Sequence, residues 1–273
     1  RIGIRLTPDR PWETDVLREI DETYIFFICV VVFLAIIELG FRLGRRQRRA
    51  SDEAAKTHIG GLQTALLGLL ALLLGFTFAM SVTRFEARKN LVLEEANAIG
   101  NAYWRSQLLP PAARDPIAAL LLEYVTTALD FHDADNDSVR LATAGATSRR
   151  IEREIRSTAA SVLESPPSIS SIMFIQAINE MAQVNEKRRV ALENHVPEPV
   201  FYLLFIVTSG AMAYIAYGTG LQKRRRFIST GLFATLIALV LTFILDVDQP
   251  ASGVIMVSQE SMQRMKATLE QER

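Results

Sequence analysis

Residues 59–83, IGGLQTALLGLLALLLGFTFAMSVT, contain no Asp, Glu, Lys or Arg. A helix that crosses the hydrocarbon core of a bilayer needs roughly 20 mostly apolar residues. Eight leucines between Leu62 and Leu74 add to the driving force for membrane insertion. This stretch therefore predicts a transmembrane helix.

Three further blocks have the same apolar character, at residues 24–43, 199–222 and 227–245. In lipid, backbone N–H and C=O groups must be paired within the segment, so spans of this length must be helices. Glu38 interrupts the first block, and Arg42 follows four residues later. A helical ion pair at the membrane surface is favoured there over a functional intramembrane acid. The predicted fold class is all-α, a four-transmembrane-helix membrane protein.

The connections between the predicted spans are strongly basic and predict the orientation. Arg42, Arg45, Arg46, Arg48, Arg49 and Lys56 lie between the first two spans, and Lys223, Arg224, Arg225 and Arg226 between the last two. The positive-inside rule assigns such short connections to the cytoplasm. In a plasma membrane, both termini and the segment between spans two and three would then lie outside.

That segment, residues 84–198, is predicted to be an α-helical extramembrane domain inserted between two transmembrane hairpins. The first hairpin, with an interfacial lead-in, occupies 1–83, the second 199–245, and a C-terminal segment 246–273. Pro110-Pro111 and Pro166-Pro167 mark helix ends. Helices are expected at 84–109 (continuing span two), 115–131, 147–163, 168–194 and 259–271, and a polar loop at 133–145.

Several functional classes find little support in the composition. Lys+Arg and Asp+Glu both total 30, so no excess of positive charge indicates nucleic-acid binding. The three histidines are scattered and no catalytic or nucleotide-binding motif is present, so neither an enzyme nor a cofactor is predicted. Asp133, Asp135 and Asp137 match the start of a calcium loop that lacks its glycine and closing glutamate. A solvated acidic loop is the favoured interpretation, and no metal site is predicted.

Two stripes distinguish the second predicted span and its extension. Gly61, Gly68 and Gly75 recur every seven residues, which predicts close helix packing within one subunit or between subunits. A polar stripe follows one side of the same helix: Gln63, Thr77, Ser81, Arg84, Arg88 and Glu95. Two interpretations stay open for it, the lining and mouth of a conduit in an oligomer or a buried polar seam between helices.

Two groups of residues carry a family resemblance. The first is Gly75-Phe-Thr-Phe78, Arg84-Phe-Glu-Ala-Arg88 and Val92-Leu-Glu-Glu-Ala-Asn-Ala-Ile-Gly100, and the second Asp246-Val-Asp-Gln-Pro250 through Gly253 to Val257-Ser-Gln259. Both resemble the bacterial bestrophin-like domain family, membrane proteins of unknown function. Its signature positions here are Arg84, Glu86, Arg88, Glu94, Glu95, Asn97 and Gly100.

The resemblance implies a four-span helical protein distantly similar to bestrophins, which are oligomeric ion channels. A homo-oligomeric channel is therefore the leading hypothesis, with membrane lipids, inorganic ions and further copies of the chain as partners. Arginines at the mouth would favour anions. The alternative is a non-conducting scaffold or sensor whose helical domain binds a partner. Bestrophins keep their large helical domain in the cytosol, so the opposite orientation also stays open.

Overall fold

The computed structural model describes residues 22–47, 53–133, 138–163, 168–222, 227–249 and 255–272. Within these ranges the regular secondary structure is entirely α-helical. The helices are α1 Glu22–Gln47, α2 Glu53–Ser106, α3 Pro111–Asp133, α4 Ser138–Leu163, α5 Ile169–Glu193, α6 Glu198–Leu221, α7 Phe227–Asp248 and α8 Glu260–Gln271. The all-α prediction is confirmed.

Four stretches are long and apolar enough to cross a membrane: Thr23–Gln47, Ile59–Ser106, Ile169–Leu221 and Ile228–Asp248. The predicted spans fall within these stretches, apart from residue 222, which lies in a turn, and residue 227, which begins α7 one residue before the fourth stretch. The expected continuation of span two is confirmed, because α2 runs unbroken for 54 residues. At a rise of 1.5 Å per residue such a helix is about 80 Å long. The interfacial lead-in and residues 223–226 lie outside the described residues.

Two compact units divide the chain. The first is formed from Arg1–Leu74 and Tyr202–Leu245, and the second from Gly75–Phe201 and Asp246–Arg273. In the first unit, Phe33 of α1 stacks on Phe205 of α6, with ring centroids 5.6 Å apart. Close approach of these two helices depends on glycine.

The second unit has its own hydrophobic core. α3 packs against α4 and α8, and α4 packs against α5. Met262 and Leu269 anchor the amphipathic α8 in this core. Fully buried members from the other helices include Ile99, Ile117, Leu121, Ile151, Ile155 and Phe174.

The N-terminal ends of two helices in the second unit, α5 and α4, show how local sequence sets where a helix begins. Ser168 caps α5, because its hydroxyl accepts from the Ser171 N–H while the Ser171 hydroxyl accepts from the Ser168 N–H. The predicted loop at 133–145 is wrong over its second part, since α4 already begins at Ser138. Residues 138–146 contain Ala, Leu and Arg, which are good helix formers, so propensity outweighs the polar composition.

Candidate functional site

One face of α2 is covered by the chain and the opposite face is not. At about 100° per residue, the positions within about 40° of Arg88 are all buried or half-buried from Gln63 to Ser106. The positions within about 40° of the opposite direction are all exposed: Gly61, Ala65, Gly68, Leu72, Gly75, Ala79, Thr83, Glu86, Asn90, Leu93, Asn97, Asn101 and Trp104. We call these the covered face and the uncovered face.

The predicted polar stripe lies on the covered face. Thr77, Ser81, Arg88 and Glu95 are buried, whereas Gln63 and Arg84 are half-buried. In a single chain most of the stripe is therefore turned toward the chain's own residues. That placement matches the buried polar seam, and its role as a conduit lining in an assembly stays a prediction.

Arg88 is held by acceptors of the second unit. Its Nε donates to the Ala191 carbonyl at 3.2 Å and one Nη donates to the Asn194 carbonyl at 3.1 Å. Both carbonyls belong to the C-terminal end of α5, where helical C=O groups lack intrahelical partners and attract cations. The Asp248 carboxylate lies 4.0 Å from the same guanidinium. Arg88, 3% exposed, therefore joins α2 to the end of α5.

Asp248 also fixes the chain between α5 and α6. Its two carboxylate oxygens accept the Val196 N–H at 3.1 and 3.0 Å. The ring Nδ1 of His195 lies 3.2 Å from the Asp248 backbone carbonyl and 3.8 Å from its carboxylate. Asp248 is buried, and the sequence analysis assigned it no site role although it belongs to the second family signature.

Glu95, only 1% exposed, is the centre of a second buried polar cluster. Its Oε1 accepts the Tyr124 hydroxyl at 2.8 Å, and its Oε2 accepts the Arg188 guanidinium at 2.5 Å. Arg188 also donates to the Gln259 side chain at 3.1 Å, so the cluster ties α2, α3 and α5 to the C-terminal segment. Burial raises the pKa of the Tyr124 hydroxyl well above its usual value, and the neighbouring Glu95 charge adds to the shift.

Three further members of the stripe, Gln63, Ser81 and Arg84, differ in their surroundings. Gln63 donates to the Tyr214 carbonyl at 3.3 Å, both within the first unit. A side chain at Gly218 would collide with the Gln63 amide, so glycine there makes room for it. The Ser81 hydroxyl is buried and has no hydrogen-bond partner among the described residues. Arg84, at the edge of the stripe, keeps part of its side chain exposed.

The remaining signature positions lie on the uncovered face or about 60° from its centre, and Gly100 alone among them is buried. Glu86, Glu94 and Asn97 are exposed, with Glu94 about 60° from the centre of the uncovered face. Gly100 is buried beneath Met265 of α8, whose terminal methyl would lie 2.9 Å from an added Cβ. A small residue there lets α8 lie directly on α2.

The predicted packing glycines point outward. A Cβ atom at Gly61, Gly68 or Gly75 would meet nothing within 4 Å in the described part of the chain. Packing within one chain is therefore not what these residues provide, and packing between subunits stays a prediction.

Other glycines make the close contact instead, between α1 and α6. Side chains at Gly40, Gly44 or Gly220 would collide with the backbone carbonyls of Ala213, Tyr217 and Phe41, respectively. The sequence analysis missed them, although Gly40 and Gly44 form the G-x-x-x-G spacing that allows helices to approach.

No group of three or more His, Cys, Asp or Glu side chains that could hold a metal ion is found among the described residues. The calcium-loop candidates are not among the side chains to which this statement applies. Asp135 and Asp137 lie outside the described residues, and Asp133 ends α3 with its side chain also outside them.

The comparisons with known proteins agree with this architecture. The Bestrophin-like domain family matches residues 27–262. A mutant bacterial bestrophin homologue from Klebsiella pneumoniae is 13% identical with a TM-score of 0.65, over 90% of this chain and 98% of that chain. Another structure of a bestrophin homologue from Klebsiella pneumoniae is 15% identical with a TM-score of 0.64, over 90% of this chain and 97% of that chain. A mutant membrane protein is 13% identical with a TM-score of 0.66, over 90% of this chain and 97% of that chain.

At these identities the likeness to solved structures shows the fold alone. No curated protein matches the sequence significantly. The family match is more specific, because it includes both signature stretches and most of the four apolar helices. The chain therefore belongs to the Bestrophin-like domain family of membrane proteins.

Proposed function

We propose that the chain assembles into a homo-oligomeric membrane ion channel in which the uncovered face of α2 lines or flanks the conduit. The observation that carries the proposal is the division of α2 into a covered and an uncovered face from Gly61 to Ser106. A helix that continues a membrane span and remains uncovered on one side has room there for further copies or for water.

The chemistry of the uncovered face changes along α2. From Thr83 to Asn101, at and beyond the end of the predicted span, it carries hydroxyl, carboxyl and amide groups, which suit contact with water. From Gly61 to Ala79 it is apolar and rich in Gly and Ala, so copies of α2 could approach one another closely there. An apolar constriction that leads into a polar stretch is a common arrangement in channels.

The predicted anion preference has a narrower basis than the sequence suggested. Arg88 is buried and held by two backbone carbonyls, so its charge is committed inside the chain. Arg84 is the half-exposed arginine of the stripe, and we keep it as a candidate for the mouth. One partly shielded arginine per subunit is a weak source of anion selectivity.

Recording from purified protein in planar bilayers tests the channel function. We expect discrete conductance steps under a salt gradient, from particles that contain several copies of the chain. Native mass spectrometry of the same preparation gives the subunit number. Electrically silent bilayers that contain verified oligomers would contradict the proposal.

A second function is favoured by a different observation, the exposed apolar side chains of the second unit. Trp104, Leu108, Ile169 and Ile172 are each more than half exposed. A cleft of about 450 Å³ also opens beside Glu95, lined in part by Phe131, Arg149 and Leu192. Such features fit a non-conducting scaffold or sensor that binds a partner. This function predicts an assembly without conductance and with protein or ligand bound to the second unit.

The proposed topology keeps the short basic connections in the cytoplasm and the helical domain of residues 84–198 outside. The supporting observation is the charge of the two connections. Single cysteines at Arg150 and Arg224, introduced in a Cys29→Ala background, test it by labelling with an impermeant thiol reagent in intact cells. Labelling of position 150 alone is expected. Equal labelling of both positions would reject the topology.

A further inference from the structure

The cleft of the second unit beside Glu95 is lined by residues of α2, α3, α4 and α5. Its volume of about 450 Å³ falls within the range of small-molecule sites, roughly 300–1,000 Å³. Glu95 lies about 18 Å along α2 from Thr83, the end of the predicted span, so the cleft is open to dissolved ligands rather than to lipid chains. Apolar side chains form part of its wall: Ala128, Phe131, Ala144 and Leu192.

The charges around the cleft are only partly neutralised. Two ion pairs account for four of the lining residues: Glu95 with Arg188, and Glu186 with Arg189. Arg149 and Glu152 of α4 also line the cleft, and neither has an ion-pair partner within the described part of the chain. The cleft therefore offers one guanidinium and one carboxylate whose charges are not balanced by a neighbour.

These two side chains do not pair with each other, although residues three apart on a helix have Cβ atoms roughly 5–6 Å apart. The Arg149 guanidinium lies back over Gly145, where an added Cβ would be 3.7 Å from Nη1. The Glu152 carboxylate accepts the Asn185 amide of α5 and has further lone pairs to offer. Burial is the main cause of the raised pKa of Tyr124, and the charge of Glu152 contributes to it. Glu152 therefore acts on the inner wall of the cleft.

A ligand that satisfies both groups carries a negative and a positive charge close together. In an α-amino acid the carboxylate and the ammonium group are bonded to one carbon, so a single molecule can reach both side chains. The apolar part of the wall suits an apolar ligand side chain. We propose that the cleft binds a zwitterionic α-amino acid with an apolar side chain, its carboxylate on Arg149 and its ammonium group on Glu152.

The inference goes beyond ion conduction, because the cleft belongs to the second unit alone. It also gives a ligand class to the cleft on which the second proposed function, that of a sensor, rests in part. Ligand binding and conductance are measured separately, so the failure of one does not decide the other.

Isothermal titration calorimetry of the detergent-purified full chain tests the inference, with L-phenylalanine as the probe. We expect saturable binding. Two analogues each lack one charge: hydrocinnamate has no ammonium group, and phenethylamine has no carboxylate. Each should bind about tenfold more weakly or worse, because it leaves one charged group of the cleft without its hydrogen-bonded partner.

Two variants assign the charges to their partners. Arg149→Gln should weaken phenylalanine binding about tenfold and leave phenethylamine binding unchanged. Glu152→Gln, which keeps an oxygen for the Asn185 amide, should weaken phenylalanine binding by a similar factor and leave hydrocinnamate binding unchanged. Arg156→Gln, at an exposed arginine of α4 that does not line the cleft, is the matched control and should bind phenylalanine as the wild type does.

L-leucine, a smaller apolar amino acid, separates a poor steric fit from an absent site. If neither amino acid releases heat or raises the unfolding temperature up to its solubility limit, the inference is overturned and the channel function is untouched. Hydrocinnamate or phenethylamine binding as tightly as phenylalanine would also overturn it, because one charge would then suffice. So would equal phenylalanine affinities of Arg149→Gln, Glu152→Gln and wild-type protein.

Discussion

Glu94 and Glu95 are neighbours in the sequence and lie on different sides of α2. Glu95 is buried and bound by Tyr124 and Arg188, whereas Glu94 is exposed and has no ion-pair partner among the described residues. The covered face thus uses its charges to hold the second unit together. Glu94, beside the uncovered face, keeps its charge exposed, so that the same residue type has a structural role at one position and none in the packing of the chain at the next.

The largest expected effect is a loss of folding stability when Glu95 is neutralised, and neutralising Glu94 provides the comparison. Glu95→Gln leaves the Arg188 charge buried without its partner, which costs about 3–5 kcal/mol. Glu94→Gln should change the free energy of unfolding by no more than about 0.5 kcal/mol. Thermal unfolding of detergent-purified protein compares the two variants. Equal losses of stability would remove the distinction between the faces.

Two glycines of the first unit offer a second comparison, between a position that contacts another helix and a position that meets open space. Gly44→Ala forces a methyl group against the Tyr217 carbonyl and should cost about 1–3 kcal/mol. Gly68→Ala meets open space and should leave the fold of one chain intact, with a helix-propensity gain of at most about 1 kcal/mol. Thermal unfolding measures the first effect, and particle mass measures whether Gly68→Ala disturbs assembly. A stable Gly44→Ala protein would contradict the close α1–α6 contact.

Alkaline pH should weaken the covered face through Tyr124. Its pKa in the folded chain is raised by burial and by Glu95, above the unfolded value of about 10. Folding stability from this group is therefore fully present below about pH 10 and is lost as the pH rises toward the folded pKa. Tyr124→Phe should cost about 1 kcal/mol at neutral pH and reduce the alkaline loss. An unchanged alkaline slope of unfolding temperature in this variant would assign the loss to other groups.

The smallest effect is expected from Arg84. Because its side chain is partly shielded and lies on the covered side of α2, Arg84→Gln should change the Na⁺/Cl⁻ permeability ratio by no more than about twofold. Reversal potentials in planar bilayers provide the measurement. A tenfold change would place Arg84 in the permeation path and support the anion-selective mouth that the sequence alone suggested.

The spans could be predicted from sequence because uninterrupted apolar blocks have few alternatives in lipid. Most helix positions of the second unit followed from periodicity and from the proline pairs. What the polar stripe of α2 faces could not be predicted. Periodicity groups Arg88 and Glu95 on one side of a helix but does not say whether that side meets protein or water.

Partners distant in sequence decide that question. Arg188 lies 93 residues from Glu95, and Asn194 lies 106 residues from Arg88. Neither partner differs in type from the exposed residues around it, so no local signal identified it. The contact glycines of α1 are a different case, because the spacing of Gly40 and Gly44 was a readable signal that the sequence analysis passed over.

Cysteine accessibility in the conducting state tests the central claim most directly. In a Cys29→Ala background, Asn97→Cys and Asn101→Cys place thiols on the uncovered face, and Ser106→Cys places one on the covered face. A methanethiosulfonate reagent should reduce the current of the first two variants and leave the third unchanged. Currents of Asn97→Cys and Asn101→Cys that persist after complete modification would contradict the account, because the uncovered face would then lie away from the ion path.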